Sequence, residues 1–396
     1  MDRVHRIAVV GAGLGGLAAA ITLRRAGFEV ELHEQASELA EFGAGINISP
    51  NSVKFFRAVG LADRLHEVAS EPIGLSWRDW NSGEIRYSLP FGDFEKRYGA
   101  KYYVVHRSDL HRLLSEAVPP SCFRLGKRCT QVEPHNGSVG LSFADGSSAE
   151  ADVVIGCDGI RSAVRASVFG GEGPRYVGTM CWRALAPSDA LPKDYHDRHV
   201  NQWSGAGGFV ISYLIRQGKF INFVAVRQQP GWTEQSWSVP STVEEMLAAF
   251  PNAGETLRAM MRQATSCSKW GQFTGEHAEQ WSKDRVTLLG DSAHAMLATF
   301  GQGANMAFED AYVLAQWLSE NAADPRAALA GYEAARKPRA SRVQQLSRTE
   351  VHFKKVHSDW DRLRREFAFF TRYGATTASI YRWIYGYDPV TQWRGQ

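Results

Sequence analysis

The sequence holds almost no surplus charge: 45 Lys+Arg against 42 Asp+Glu leave a formal +3 over 396 residues. The two signs are interspersed, so no basic stripe is present to hold a nucleic acid. Cysteine is scarce and odd in number. Cys122, Cys129, Cys157, Cys181 and Cys267 show neither CxxC nor zinc-type spacing. That argues against a disulfide framework or a metal centre and fits a reducing cytosol with buried thiols. Proline is modest at 15 and no biased tract interrupts the chain, which leaves little room for disorder. The longest uncharged run, Ile7–Leu23, follows Arg3 and Arg6 and superficially suggests a signal peptide or a membrane span. Its central glycines point instead to a turn. The expectation is a soluble, cytoplasmic protein with no membrane or nucleic-acid partner. Its 44% hydrophobic content suffices for a large core divided between two units.

What is present begins with HRIAVV, His5–Val10, a buried strand running into GAGLGG. Gly11, Gly13 and Gly16 have the GxGxxG spacing, and LAAAITLRRAG continues with helical periodicity to Gly27. FEVELHE then gives a second strand ending at Glu34. The glycines permit a tight turn and close approach of backbone to a pyrophosphate, with the helix N-terminus directed at it. Glu34 is placed to accept the adenosine-ribose hydroxyls and would repel a 2′-phosphate, so the tightly held dinucleotide is FAD or NAD. GAGINISPNSVKFFRAVGL, residues 43–61, follows: a loosened backbone, then a short helix from Pro50. Asn47 in it is either part of a capping turn or a neighbour of the far end of the dinucleotide.

Tyr103–Val118 reads as a strand end and a helix from Ser108, with Arg107 at the junction, either reaching cofactor or an ordinary surface arginine. A meander of short antiparallel strands follows, with turns at His135-Asn136-Gly137 and Asp145-Gly146. It returns to a core strand in ADVVIGCDGIRSAVR, residues 151–165. Asp158 and Gly159 fall at the carboxyl end of that strand, beside the pyrophosphate crevice. Arg161 and Arg165 either meet a diphosphate or pair within the fold. Residues 173–280 change character to aromatic and β-branched strands, with Trp182, Trp203, Trp232 and Trp237 among them. A mainly antiparallel sheet is expected there, followed by a helical stretch over 242–263. Tyr213, in mid-strand, either fills core or offers its hydroxyl to a ligand.

A second glycine–aspartate turn lies in LLGDSAHAMLATFGQGANMAFEDA, residues 288–311. Asp291 ends a core strand, where it can hydrogen-bond a ribityl or ribose hydroxyl. The helix opening at Gly303-Ala304-Asn305 directs its N–H groups at the far end of the same ligand. That suits a flavin, whose N1–C2=O edge gains negative charge on reduction. His294 reads as structural. The remainder to about Tyr373 reads as long helices, the charged run 351–373 serving as a packed helix, a dimer contact or a membrane-surface helix.

The three motifs in this order, GAGLGG with Glu34, DVVIGCDGIRSAVR and GDSAHAM…GQGANMAFEDA, make the chain resemble the single-component FAD-dependent aromatic hydroxylases. HRSDLH, the Gly43–Asn51 loop and YGYDPVTQW are most similar to the salicylate, 3-hydroxybenzoate and 6-hydroxynicotinate branch. The resemblance implies an α/β fold: a Rossmann-like, GR2-type FAD-binding domain with an inserted, mainly antiparallel substrate sheet and C-terminal helices. The corresponding divisions are 1–72, 100–172 and 281–320 for FAD, 73–99 and 173–280 for substrate, and 321–396 for the helices. By the same resemblance, Gly11, Gly13, Leu14, Gly15, Gly16, Glu34, Gln35, Arg107, Cys129, Asp158, Asp291, Gly303, Ala304 and Asn305 bind FAD. Asn47 and Tyr213 face the substrate as catalytic residues, and Ala298, Thr299 and Phe300 border its pocket. Ala295 and Ala298 stand where relatives carry proline, and some pyridine-hydroxylating relatives carry histidine at the Asn47 place.

The implied reaction hydroxylates a small phenolic or hydroxylated heteroaromatic acid through a flavin C4a-hydroperoxide. NADH or NADPH is the transient reductant and O₂ the oxidant. A salicylate-like acid leads, with decarboxylation if oxygen enters at the carboxyl-bearing carbon; 3-hydroxybenzoate and 6-hydroxynicotinate are alternatives. Partners are then the aromatic acid and O₂, with a homodimer compatible. A flavin epoxidase, a halogenase (whose WxWxIP box is missing) and a non-catalytic FAD sensor are the rivals.

Overall fold

A computed structural model of the chain describes residues 4–39, 43, 45–135, 137–191, 196–232, 239–275, 278–348 and 377–395. The apolar strands Arg6–Val10, Glu29–His33, Val153–Gly156 and Val286–Leu288 form the parallel heart of a six-stranded sheet. Phe123–Arg124 extends one edge in parallel, and Ser282–Lys283 closes the other as an antiparallel hairpin. A strand such as Val153–Gly156 is buried at every position, which is why it reads as a continuous apolar run with no alternation. The uncharged stretch Ile7–Leu23 resolves into the first strand, the glycine turn and helix Leu14–Arg25. That helix packs on helix Gly303–Glu320, with the Thr22 hydroxyl donating to the Ala311 carbonyl at 2.9 Å. Among the described residues no helix is long and apolar enough to cross a membrane.

The second large sheet has eight strands. Its order is Val239–Pro240, Ser266–Thr274, Arg175–Pro187, Phe220–Gln228, Gly208–Ile215, His199–Gly205, Gly74–Asp79 and Ile85–Pro90. Every neighbouring pair is antiparallel except His199–Gly205 with Gly74–Asp79. Alternation gives it two different faces. Trp182, Ala184, Trp203, Val210, Phe223 and Ala225 bury one face against Met246, Leu257 and Met261. Tyr213 and its cross-strand neighbours form the other.

Two corrections to the sequence reading concern helices. The stretch 242–263 is two helices, Val243–Ala249 and Glu255–Arg262. Pro251 interrupts the ladder, and Gly254, the second N-cap, lies so close to Asn81 that a Cβ there would sit 1.9 Å from its carbonyl oxygen. The helix after Tyr103–His106 starts at Arg107, one residue earlier than expected. The tail does contain the long helices Gly303–Glu320 and Pro325–Ser347. Asn136, Trp237 and the expected helix 351–373 lie outside the described residues.

Candidate active site

The opening glycine turn is built around contacts that exclude side chains. Gly11 takes φ +101° and packs so closely that a Cβ would lie 2.5 Å from the Cys157 carbonyl oxygen. A Cβ on Gly16 would lie 1.9 Å from the Gly11 carbonyl oxygen. The first and second motifs are therefore in contact. Helix Leu14–Arg25 starts at Gly13 with no side-chain cap and no acidic residue in its first turn, leaving Leu14, Gly15 and Gly16 at a bare, positive helix end. Glu34 closes the turn: Oε2 accepts from the Ala12 N–H at 2.7 Å and Oε1 from the Ala36 N–H at 2.9 Å. Gln35 beside it is exposed. Cys129 is buried, and burial followed by the Asp158 charge pushes its thiol up to about 11, so any part it takes is as a neutral wall.

Asp158 works within the protein. Its Oδ2 accepts from the Ala163 N–H at 2.7 Å and the Val164 N–H at 3.2 Å, and Ser292 donates to its Oδ1 at 3.2 Å. Burial raises its pKa against those hydrogen bonds. Arg165 is turned inward, donating to the Ile160 and Ser292 carbonyls at 3.0 and 3.4 Å.

The second glycine–aspartate turn brings Asp291 against the later helix: a Cβ on Gly303 would lie 3.9 Å from its Oδ1. Asp291 is open to water, yet protein surrounds it so fully that desolvation raises its pKa, tempered by the charges of His294 and Arg107. An accessible carboxylate that has lost bulk solvation sits in a deep cleft. Among the described residues it accepts no hydrogen bond. Arg107 runs beside Gly43, whose Cβ would lie 3.0 Å from its own. Helix Gly303–Glu320 also starts with neither a side-chain cap nor an acid in its first turn, so Gly303 and Ala304 offer a second bare helix end to the same cleft.

Around that helix tip, Asn47 donates to the Gly301 carbonyl at 3.0 Å. Gly301 has φ +61°, and a Cβ there would lie 2.1 Å from Asn47 Oδ1. Asn305 is wholly buried and donates to the Asn47 and Gly301 carbonyls at 3.1 and 2.8 Å, so its backbone alone is left for a ligand. Tyr213 lies on Gly45, where a Cβ would be 2.6 Å from its hydroxyl oxygen. Burial drives its pKa upward, so the phenol keeps its proton. Among the described residues that hydroxyl has no hydrogen-bond partner. Ala298 is exposed, Thr299 donates to the Ser347 carbonyl at 2.7 Å, and Phe300 is buried edge-on to Tyr381. Ala295 is buried.

Three features escaped the sequence reading. Asn222 ties the eight-stranded sheet to the strand Gly45–Ile48, its Oδ1 accepting from the Gly45 N–H at 2.7 Å. Arg183 stacks on Trp270 at 4.0 Å from the ring centroid. Third, a buried ionic network backs the helix tip. His294 bonds Asp310 at 2.6 Å, Arg336 bridges Asp310 and Glu309 at 2.8 and 2.7 Å, and Arg339 holds Glu309 at 2.8 Å. Asn51 adds a hydrogen bond to Glu309 at 2.6 Å and one to Gln302 at 3.2 Å. His294 thus has a structural partner. Only the alternation of strand residues could have flagged Arg183, and the register that aligns its strand with that of Tyr213, through the intervening Phe220–Gln228, is not written locally.

A parallel sheet with a glycine turn and terminal acid, plus a second acid and helix end in one cleft, defines a dinucleotide-binding protein that holds an extended ligand. The model of the FAD binding domain family matches residues 5–347. The chain belongs to that family, and FAD is its cofactor. It is 40% identical over 387 residues to a 3-amino-4-hydroxybenzoate 2-monooxygenase of Streptomyces platensis, covering 97% of this chain and 96% of that one. It is 39% identical to a 6-hydroxynicotinate 3-monooxygenase of Bordetella bronchiseptica, covering 91% and 95%. A salicylate hydroxylase substrate complex superimposes with TM-score 0.82 at 28% identity, covering 100% of this chain and 98% of that one. These relatives are FAD-dependent monooxygenases of aromatic substrates.

Proposed function

We propose that the protein hydroxylates a small hydroxylated aromatic acid, inserting one atom of O₂ and reducing the other to water with electrons from NADH or NADPH. The observation that carries this reading is the pairing of the Asp291–Gly303 cradle with the Tyr213 hydroxyl on Gly45, which has no hydrogen-bond partner among the described residues. When bound, FAD supplies the electron transfer and oxygen activation. The two uncapped helix ends and Gly11, Gly13 and Gly16 fit its diphosphate and its flavin edge, Glu34 its ribose, and Asp291 a ribityl hydroxyl.

This chain's own residues do the rest. Tyr213, kept neutral by burial, donates to the ring oxygen and stabilises the electron-rich phenolate form that attacks an electrophilic oxygen. Asn47, bonded to Gly301, holds the turn that sets the helix tip. Phe300 and the residues around Thr299 wall the ring from water. Among acids, relatives acting on aminohydroxybenzoate, hydroxynicotinate and salicylate all share the scaffold. A salicylate-like acid remains the lead, with 3-hydroxybenzoate and 6-hydroxynicotinate as alternatives.

The test is oxidation of NADH and NADPH by the purified yellow protein, with salicylate, 3-hydroxybenzoate, 6-hydroxynicotinate and 3-amino-4-hydroxybenzoate. Stimulation by one of them, with a product bearing one added oxygen or an exchanged carboxyl, is expected. No stimulation by any of the four refutes the proposal.

A further inference from the structure

The middle of the first glycine turn is held from both sides. The Ala12 N–H donates to Glu34 Oε2 at 2.7 Å, and the Ala12 carbonyl lies 2.8 Å from Nε2 of His111. A carbonyl oxygen only accepts, so this bond fixes the imidazole: Nε2 carries a proton. Ala12 and His111 are 2% and 5% exposed. Water is poorly placed to replace a donor lost from such a carbonyl, and an orphaned buried acceptor costs more than the bond itself is worth. Gly11 and Gly16 give the turn no slack, because each already lies against backbone. A trans peptide is planar, so holding the Ala12 carbonyl also sets the direction of the Gly13 N–H on its other side. Gly13 caps helix Leu14–Arg25, and a Cβ on it would meet nothing within 4 Å. The space beside this bare helix end is open to a ligand.

His111 is brought there by a helix that is itself anchored. In helix Arg107–Ser115 it follows Arg107 by four residues, so both stand on one face. The Arg107 end runs beside Gly43, and its charge reaches Asp291. Asp109 ties the same helix to the eight-stranded sheet, accepting from Arg216 Nε at 2.8 Å and Nη2 at 3.0 Å. Arg216 directly follows the strand Gly208–Ile215 that carries Tyr213. The imidazole is thus presented from a fixed support outside the turn it holds.

We propose that His111 is a positioning residue for FAD: its hydrogen bond to Ala12 keeps the glycine turn in the form that receives the diphosphate before the cofactor arrives. A turn free to relax has to be reordered when FAD binds, and that cost is read in affinity. The inference rests on the placement of the diphosphate at this turn and is independent of which acid is the substrate.

The experiment measures the FAD dissociation constant by ultrafiltration of the holoenzyme at graded dilution, with thermal melts of the same samples. His111→Leu is expected to raise the constant roughly 5-fold, the scale of one neutral hydrogen bond. His111→Gln, whose side-chain amide reaches as far as Nε2 and keeps the donor, should stay within about 2-fold of wild type. A merely structural histidine would lower the melting temperature of His111→Leu and leave its FAD constant alone. That result, or equal weakening in His111→Leu and His111→Gln, overturns the proposal. If His111→Leu does not fold, His111→Asn, whose amide stops short of Ala12, takes its place, and wild-type affinity in that variant overturns the proposal equally. Gly13→Val tests the foundation separately, since Gly13 has φ −68°, which valine accepts. Undiminished FAD binding there removes the diphosphate from this turn, and the role of His111 with it.

Discussion

Replacing Asp291 by alanine separates cofactor grip from folding, because of how that carboxylate is placed. It is accessible to water, accepts no hydrogen bond among the described residues and faces Gly303 across the cleft. Removing it orphans no donor, so stability should move by no more than about 0.5 kcal/mol, as at other sites without such partners. The sign is set by its acidity. Desolvation raises the folded-state pKa above the ordinary 3.8, so at neutral pH the ionised group disfavours the FAD-free fold slightly, and that penalty disappears as pH drops below 3.8. FAD-free Asp291→Ala should therefore melt no lower than FAD-free wild type at pH 7. Binding should suffer. One hydrogen bond to a charged acceptor is worth about 1.5–3 kcal/mol, which corresponds to roughly 10- to 150-fold in the FAD dissociation constant. The assay is the ratio of visible to ultraviolet absorbance after desalting, with a circular dichroism melt of the same sample. Asp291→Asn, which keeps an acceptor without charge, should retain more flavin than alanine does. Wild-type flavin retention in Asp291→Ala refutes the placement of the cofactor's ribityl chain at this turn.

Tyr213→Phe removes the one polar atom of a side chain that otherwise packs unchanged on Gly45. It should weaken acid binding by about 2- to 12-fold, the range of a neutral hydrogen bond, and raise the hydrogen peroxide released per NADH consumed; an unaltered peroxide yield excludes Tyr213 from the site. Arg336→Met leaves the buried Glu309 and Asp310 short of a counter-charge and should cost about 3–5 kcal/mol, read as a fall in urea midpoint; a midpoint within error of wild type would show the network to be idle. The same two carboxylates set an acid limit. Burial raises their pKa values, but Arg339 and Arg336 on Glu309, and His294 and Arg336 on Asp310, hold them below their ordinary 4.5 and 3.8. Their contribution is complete above those values and is lost as pH falls beneath them. Melts from pH 7 to 3 should drop steeply only at the acid end in wild type and less steeply in Asp310→Asn; parallel curves would contradict this.

Much of the proposed cofactor cradle is legible in the sequence because it is made of local signals. Gly11, Gly13, Gly16 and Glu34 lie in one strand–turn–helix–strand unit, and Asp291 and Gly303 in another, so their spacing, with the family resemblance, suffices to propose their roles. The break at Pro251-Gly254 was legible too, and was missed by giving helical periodicity precedence over a proline. What the chain does not write locally is register. Arg183 and Tyr213 share a face only because their strands pair with Phe220–Gln228 at particular residues. Glu309, Asp310, Arg336 and Arg339 read as the polar positions of two helices, yet they are buried against each other. Amphipathic periodicity assigns such residues to solvent, and only the packing of the two helices converts them into a core network.

The last described helix has a consequence for how the protein is made. Arg339 donates to the Ile384 carbonyl at 2.9 Å while holding Glu309, and Lys54 reaches the Tyr387 carbonyl at 2.9 Å. The segment 384–387 thus clasps both helix Gly303–Glu320, through Arg339 and Glu309, and helix Pro50–Ala58, which follows Asn47. A polypeptide still emerging from the ribosome can form its first glycine turn early, but it lacks this clasp until residues 384–387 have been made. A chain cut back to remove residues 377–395 should therefore hold FAD less well than the whole chain, read as flavin absorbance after desalting; equal retention would show the clasp to be idle.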